Sequence, residues 1–290
     1  MGSYIGYLFF RFIVWLFSLF SFTWLYKISN GLRWLLWNVF KYRKYVVLNQ
    51  LKASFPNKTD AEIYEIAHDS YTNLADIIVE SIKGFTMTES AYRERYLFVN
   101  PDLSLDITRN NKSVIHIAAH YGNWEWGAIS YPLWLDAPVL GFYKPLSNPY
   151  IEAYGREKRS KFGMVLIPIG DTSKAFDQYE DKKSTFVFVS DQSTWSDKAH
   201  WVQFLGQDTA CPPGADKYAH KLQCPVFFTD IQRVKRGYYE VNVSLLWDGM
   251  EKIESEEITR RYMKTVENII RKKPEDWLWS HKRWKKKRNV

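Results

Sequence analysis

In the stretch SVIHIAAHYGNWE, Ser113–Glu125, a histidine and a glutamate stand five residues apart behind a short apolar run. On an ideal helix, residues five apart lie about 140° from each other, so His120 and Glu125 could not share a face there. They can meet if His120 ends a strand, Gly122 turns the chain and Glu125 enters the first turn of a helix. The helix dipole favours a carboxylate at that place. A carboxylate beside an imidazole holds one tautomer and stabilises the imidazolium, as activation of a hydroxyl requires. His-x4-Glu alone is a loose pattern, and a strand-end histidine is more often structural. The other histidines narrow it. Five residues after His68, His116, His200, His220 and His281 stand Asn73, Tyr121, Leu205, Pro225 and Lys286, so only His120 has the acid.

The elements needed to position this pair are legible around it. Ser113–Ala119, Pro138–Tyr143, Met164–Ile169, Thr185–Val189 and Val226–Gln232 are short β-branched or aromatic runs, with Tyr239–Leu245 as a further candidate strand. Trp124–Tyr131 and Asn148–Phe162 read as helices between them. This alternation predicts an α/β fold, a mixed and mostly parallel sheet with helices on both faces. Ligands of open α/β sheets bind beyond the carboxyl ends of strands, and both His120 and Ser190-Asp191-Gln192 sit at such ends. Thr59 and Glu62 form a capping-box pattern opening a helix to about Lys83, whose apolar positions follow the helical period. Asp76 and Glu80 adjoin that apolar face and read as solvated or locally paired. The sequence contains no GxSxG elbow, GxxxxGK[ST] loop or GxGxxG fingerprint, so the corresponding hydrolase, nucleotidase and dinucleotide chemistries lack their motifs. Cys211 and Cys224 match no zinc or CxxC spacing and imply a reducing compartment.

The chain of 290 residues is basic, with 40 Lys+Arg against 32 Asp+Glu, and carries 13 Trp, 19 Tyr and 18 Phe. Aromatics with cations suit a membrane–water interface or a nucleic acid, and composition alone does not choose. The N-terminus chooses. From Tyr4 to Tyr26 the only charge is Arg11, and as one helix this run spans roughly 35 Å, enough for a bilayer core. Arg11 lies near enough to one end to snorkel. Lys27, Arg33, Lys41, Arg43 and Lys44 follow, which by the positive-inside bias places the rest in the cytoplasm. The expected organisation is a transmembrane or monotopic anchor over residues 1–26 and a catalytic domain over 27–290. That domain includes an interfacial helix at 31–42.

A series of motifs runs along the chain: the hydrophobic start, YRKYVVLNQLKASFP at Tyr42–Pro56, HYGNWE at His120–Glu125, YKP at Tyr143–Pro145 and SDQ at Ser190–Gln192. FLG at Phe204–Gly206, Pro213-Gly214 and PEDWLWSHKRWK at Pro274–Lys285 complete it. In order and spacing, these motifs resemble the lipid A late-acyltransferase branch of the lysophospholipid acyltransferase superfamily. The resemblance implies transfer of a fatty acyl chain from the phosphopantetheine of acyl carrier protein to a hydroxyl of a lipid A precursor at the bacterial inner membrane, on its cytoplasmic side. It makes His120 the general base and Glu125 its orienting partner. Such a transfer needs no metal or redox cofactor. Related enzymes commonly carry Arg where this chain has Lys144, a point charge without a bidentate fork. Expected acceptor contacts are Asn123, Lys144, Arg159, Asp191 and Gln192, with Arg156 and Lys158 as further cations. A net charge of +8 also favours an acidic carrier protein. Two other readings are acylation of another membrane glycolipid or aminolipid, and a non-catalytic lipid-binding protein whose tail KRWKKKR, Lys282–Arg288, attracts anionic headgroups. Nucleic acid is the weaker partner for that tail.

Overall fold

The computed structural model describes residues 2–110, 113–179 and 182–288. Its centre is a seven-stranded sheet in the order β1-β9-β8-β2-β5-β3-β4. The strands are β1 (Tyr96–Phe98), β2 (Val114–Ala118), β3 (Val139–Tyr143), β4 (Val165–Pro168), β5 (Thr185–Val189), β8 (Val226–Lys235) and β9 (Tyr238–Trp247). All neighbours pair in parallel except β8 with β9. A separate antiparallel hairpin joins β6 (His200–Phe204) to β7 (Gln207–Cys211). Its two-residue turn, Leu205-Gly206, has positive φ at both positions, as such turns require. The expected mostly parallel α/β sheet is thus observed. Short β1 and the polar hairpin strands HWVQF and QDTAC carry no alternation strong enough to announce them.

Both faces of the sheet are covered. On β2, Ile115 and Ile117 enter one core with Phe186 and Phe188 of β5, while Val114 and Ala118 enter the other with Val187. The first core is closed by α9 (Thr172–Gln178), α10 (Gly214–Leu222) and α11 (Glu257–Lys272), through Phe176, Tyr218 and Tyr262. The second is closed by α5 (Glu89–Arg95), α6 (Asp102–Arg109) and α7 (Trp124–Ser130), through Tyr92, Leu105 and Trp126. Two-sided burial explains why these strands read as continuous apolar runs.

Helix α4 (Asp60–Gly84) begins in the expected Thr59/Glu62 capping box and carries the N-terminal helices on its flank. The apolar start is not one helix to Tyr26. Helix α1 (Gly2–Leu19) stops, and α2 (Phe22–Trp34) starts after a break at Phe20–Ser21. Lys83 accounts for the break: its ammonium donates to the carbonyls of Phe17, Ser18 and Phe20 at 3.2, 2.9 and 2.9 Å, satisfying the end of α1. By length and composition α1 could cross a membrane. One of its faces exposes Ile5, Leu8, Phe9, Phe12 and Trp15. Arg11 does not reach for an end; it donates to Tyr7 and stacks 4.7 Å from the centre of the Tyr154 ring. The expected interfacial helix at 31–42 comprises the end of α2 and a π-helical turn, Leu35–Val39, with Trp37 buried and Trp34, Leu35, Val39 and Phe40 exposed. The basic tail also differs from a solvated cluster. Arg283 is buried and donates to the Ala210 carbonyl at 2.7 Å, and Lys286 donates to the Ser196 carbonyl at 2.6 Å.

Candidate active site

Strands β2 and β5 pair in register, with Ala118 opposite Val189. His120 and Asp191 each follow two residues later, so adjacent parallel strands, about 4.8 Å apart, deliver both side chains to one place. His120 Nδ1 lies 2.7 Å from Asp191 Oδ1, and the His120 backbone N–H donates to Oδ2 at 3.0 Å. The Trp277 indole N–H donates to the same Oδ2 at 2.7 Å. Burial pushes the Asp191 carboxyl up, but the charge of His120 and the bonds from His120 and Trp277 outweigh it, leaving the group below its usual range. An ionised Asp191 can only accept, so Nδ1 carries a proton, and in the neutral imidazole Nε2 keeps a lone pair. This tautomer follows from the hydrogen-bond network. Among the described residues no group bonds Nε2.

The loop after His120 is shaped by close approach. Gly122 has φ +59°, and a Cβ there would come within 2.6 Å of the Ile231 carbonyl oxygen. Asn123 then caps α7, its Oδ1 accepting from the Trp126 N–H at 2.9 Å while its Nδ2 donates to Glu80 Oε2 at 2.7 Å. Glu80 is fully buried on α4 and also accepts from Tyr26 and Tyr239 at 2.8 and 2.7 Å. Burial pushes its carboxyl up despite these donors. A segment near the C-terminus clamps the same loop. Gly122 N–H donates to the Asp276 carbonyl and Leu278 N–H to the His120 carbonyl, each at 3.0 Å. His281 Nε2 accepts from the Ser193 N–H at 3.2 Å; burial pushes this imidazole down to about 4, so it stays an acceptor at neutral pH.

In this arrangement the carboxylate bonded to His120 is Asp191, where the pattern read from the sequence expected Glu125. Nδ1 is already taken by Asp191, and Glu125 Oε2 instead accepts from Arg159 Nη2 at 2.8 Å. Arg159 comes from α8 (Pro149–Arg159), which follows the Tyr143–Pro145 loop. His120, Glu125, Lys144, Arg159 and Gln192 all line one cavity of about 370 Å³ at the carboxyl ends of β2, β3 and β5. Its apolar floor is formed by Gly141, Met164, Leu166, Val187 and Ile231. Among the described residues, Lys144 and Gln192 have no side-chain partner and are free to meet a ligand. Two expected acceptor contacts lie outside that lining: Asn123 is spent on α7 and Glu80, and Asp191 on His120 and Trp277. Arg156 and Lys158 do not line it either.

The sequence profile of bacterial lipid A biosynthesis acyltransferases matches residues 1–286. The chain belongs to this family. It is therefore an acyltransferase. Its similarity to individual members is low but long. It is 22% identical over 247 residues to lipid A biosynthesis acyltransferase 2 of Shigella flexneri, covering 82% of this chain and 76% of that protein. It is 19% identical over 280 residues to the lipid A biosynthesis lauroyltransferase of Escherichia coli (strain K12), covering 94% and 89%. A Haemophilus influenzae lipid A biosynthesis acyltransferase is 20% identical over 232 residues, covering 79% and 71%.

Three site-building residues escaped the sequence argument. Trp277 and His281 lie within the quoted motif PEDWLWSHKRWK, but nothing in one sequence connects that motif to residues 120 or 191. Glu80 was visible as a carboxylate beside an apolar helical face, a signal for burial that a locally paired reading absorbed.

Proposed function

We propose that this chain moves a fatty acyl group from an acyl carrier protein thioester to a hydroxyl of a lipid A precursor, with His120 as general base oriented by Asp191. The observation that carries this reading is the His120 ring, fixed through Nδ1 at 2.7 Å from Asp191 and bordering the cavity with Nε2 unbonded by any described residue. Nε2 removes the proton from the acceptor hydroxyl as its oxygen attacks the thioester carbonyl. The imidazolium then returns that proton to the leaving thiol, so an ester and a free thiol result and His120 is regenerated. Asp191 stabilises the imidazolium in between. Lys144, Arg159 and Gln192 supply donors for the oxyanion and for anionic groups of the acceptor. The apolar floor between β3, β4 and β5 takes the chain in transfer. The exchange is redox-neutral and uses only the phosphopantetheine that carries the donor. The apolar outer face of α1 supports a seat in the inner membrane, with the catalytic body on the cytoplasmic side.

The test is transfer itself. Purified full-length protein, given an acyl carrier protein thioester and a lipid A precursor, should yield a lipid heavier by one acyl group. Consumption of thioester with no change in lipid mass would contradict the reading.

A further inference from the structure

A second cavity, about 340 Å³, lies between α1, α4 and α8 and meets the first at Trp124, Glu125, Leu146 and Arg159. Its walls are Phe10 from α1, Leu74, Ile77, Ile78 and Ile82 from α4, and Ile151 from α8. The one hydroxyl in its lining, Ser81, is spent on the Ile77 carbonyl at 2.6 Å. Charge appears only at the neck shared with the first cavity, where Glu125 and Arg159 bond each other. The two cavities differ in where they lead. The first runs from His120 along residues of β3, β4 and β5, whereas the second is walled by α1, the helix whose other face is exposed and apolar.

From this contrast we infer that the second cavity binds an acyl chain already carried by the acceptor lipid, admitted from the hydrophobic surroundings of α1, with the acceptor's polar part held at the Glu125–Arg159 neck facing His120. The inference rests on the proposed acyl transfer. A groove with no free polar group in its walls discriminates by apolar burial, so it selects for a hydrocarbon chain and is indifferent to headgroup chemistry. A neck with one ion pair supplies Arg159 for an anionic or hydroxyl group at the chain's polar end. The carrier-bound donor approaches from water and fits the sheet-lined cavity, leaving the α1-side groove to the lipid substrate.

Filling the groove tests this. Ile78→Trp and, separately, Ile82→Trp place bulk on α4 away from His120, Asp191, Glu125 and Arg159. In the full-length protein, with folding checked by melting temperature, each should raise KM for the lipid A precursor at least about tenfold, the equivalent of burying roughly two fewer methylene groups. KM for the acyl donor should stay within about twofold. Wild-type KM should also rise as the precursor's own chains are shortened, and the filled variants should lose that dependence. A precursor with a diazirine in its acyl chain should label the α4 peptide, residues 74–85. Unchanged acceptor KM in folded variants, or labelling confined to residues 139–168, overturns the groove assignment while transfer persists. A rise in donor KM instead assigns the groove to the transferred chain and equally overturns it. A wild type that transfers to no lipid removes the proposed function, and the groove assignment with it.

Discussion

Two carboxylates accompany His120, and they are held in opposite ways. Asp191 has a side chain 1% exposed and receives three donors, from the ring and backbone of His120 and from Trp277. Glu125 has a side chain 33% exposed and bonds one arginine. A buried, triply bonded carboxylate has one position and keeps its charge only because its donors compensate desolvation. It can therefore fix a neighbouring imidazole to within the tolerance that proton transfer needs. A partly exposed carboxylate held by a single ion pair has fewer constraints on its position. That difference supports the proposed roles, Asp191 acting on the base and Glu125 at the acceptor-binding neck.

The largest effect should come from removing the base that both carboxylates surround. His120→Ala should lower kcat by about 10²–10⁴-fold without unfolding the protein. More than a tenth of wild-type turnover in a folded variant would take His120 out of the reaction. Asp191→Asn should cost nearly as much, at least about a hundredfold, because its amide NH₂ facing Nδ1 favours the tautomer with Nε2 protonated. It should also alter stability in a pH-dependent way. The depressed Asp191 carboxyl contributes stability that is present above the ordinary carboxylate range and lost as pH falls through its own lower value. The gap in melting temperature between wild type and Asp191→Asn should thus shrink below about pH 4. A gap that widens with acid would reverse the sign of that interaction.

Glu125→Gln should fall in the middle, at about tenfold, and chiefly in KM for the lipid acceptor, since Arg159 then loses its counter-charge. A loss confined to kcat, with a shifted pH profile, would return Glu125 to the imidazole. Trp277→Phe should be the mildest, near fivefold, the scale of roughly 1 kcal/mol for one hydrogen bond to Asp191. Its signature is an altered pH dependence of kcat, which lost packing alone would not produce.

Why the sequence paired His120 with one carboxylate and the fold bonds it to the other is a matter of distance along the chain. Glu125 is adjacent to His120 in sequence, so spacing alone suggested the pair. Asp191 was recognised as a strand-end residue, but its partnership with His120 depends on β2 and β5 being neighbours in register, a property of strand order. The strands themselves, the capping box of α4 and the two helices flanking β3 were legible because apolar period and cap chemistry are local. The break between α1 and α2 was not, since Lys83 supplies it from another helix. Nor was the burial of Arg283, which in sequence is one cation among many and in the fold donates to Ala210 and Cys211 of the β6–β7 hairpin.

The central claim is that Asp191, and not Glu125, acts through His120. A pair of double-mutant cycles on kcat/KM tests it most directly. Against a wild-type background Asp191→Asn should cost at least about a hundredfold, but against His120→Ala less than about threefold, because without the imidazole there is nothing left to orient. Glu125→Gln should cost about tenfold in both backgrounds, since its work is done on the acceptor. If instead Glu125→Gln becomes silent in His120→Ala while Asp191→Asn keeps its full effect, the two carboxylates have the opposite roles.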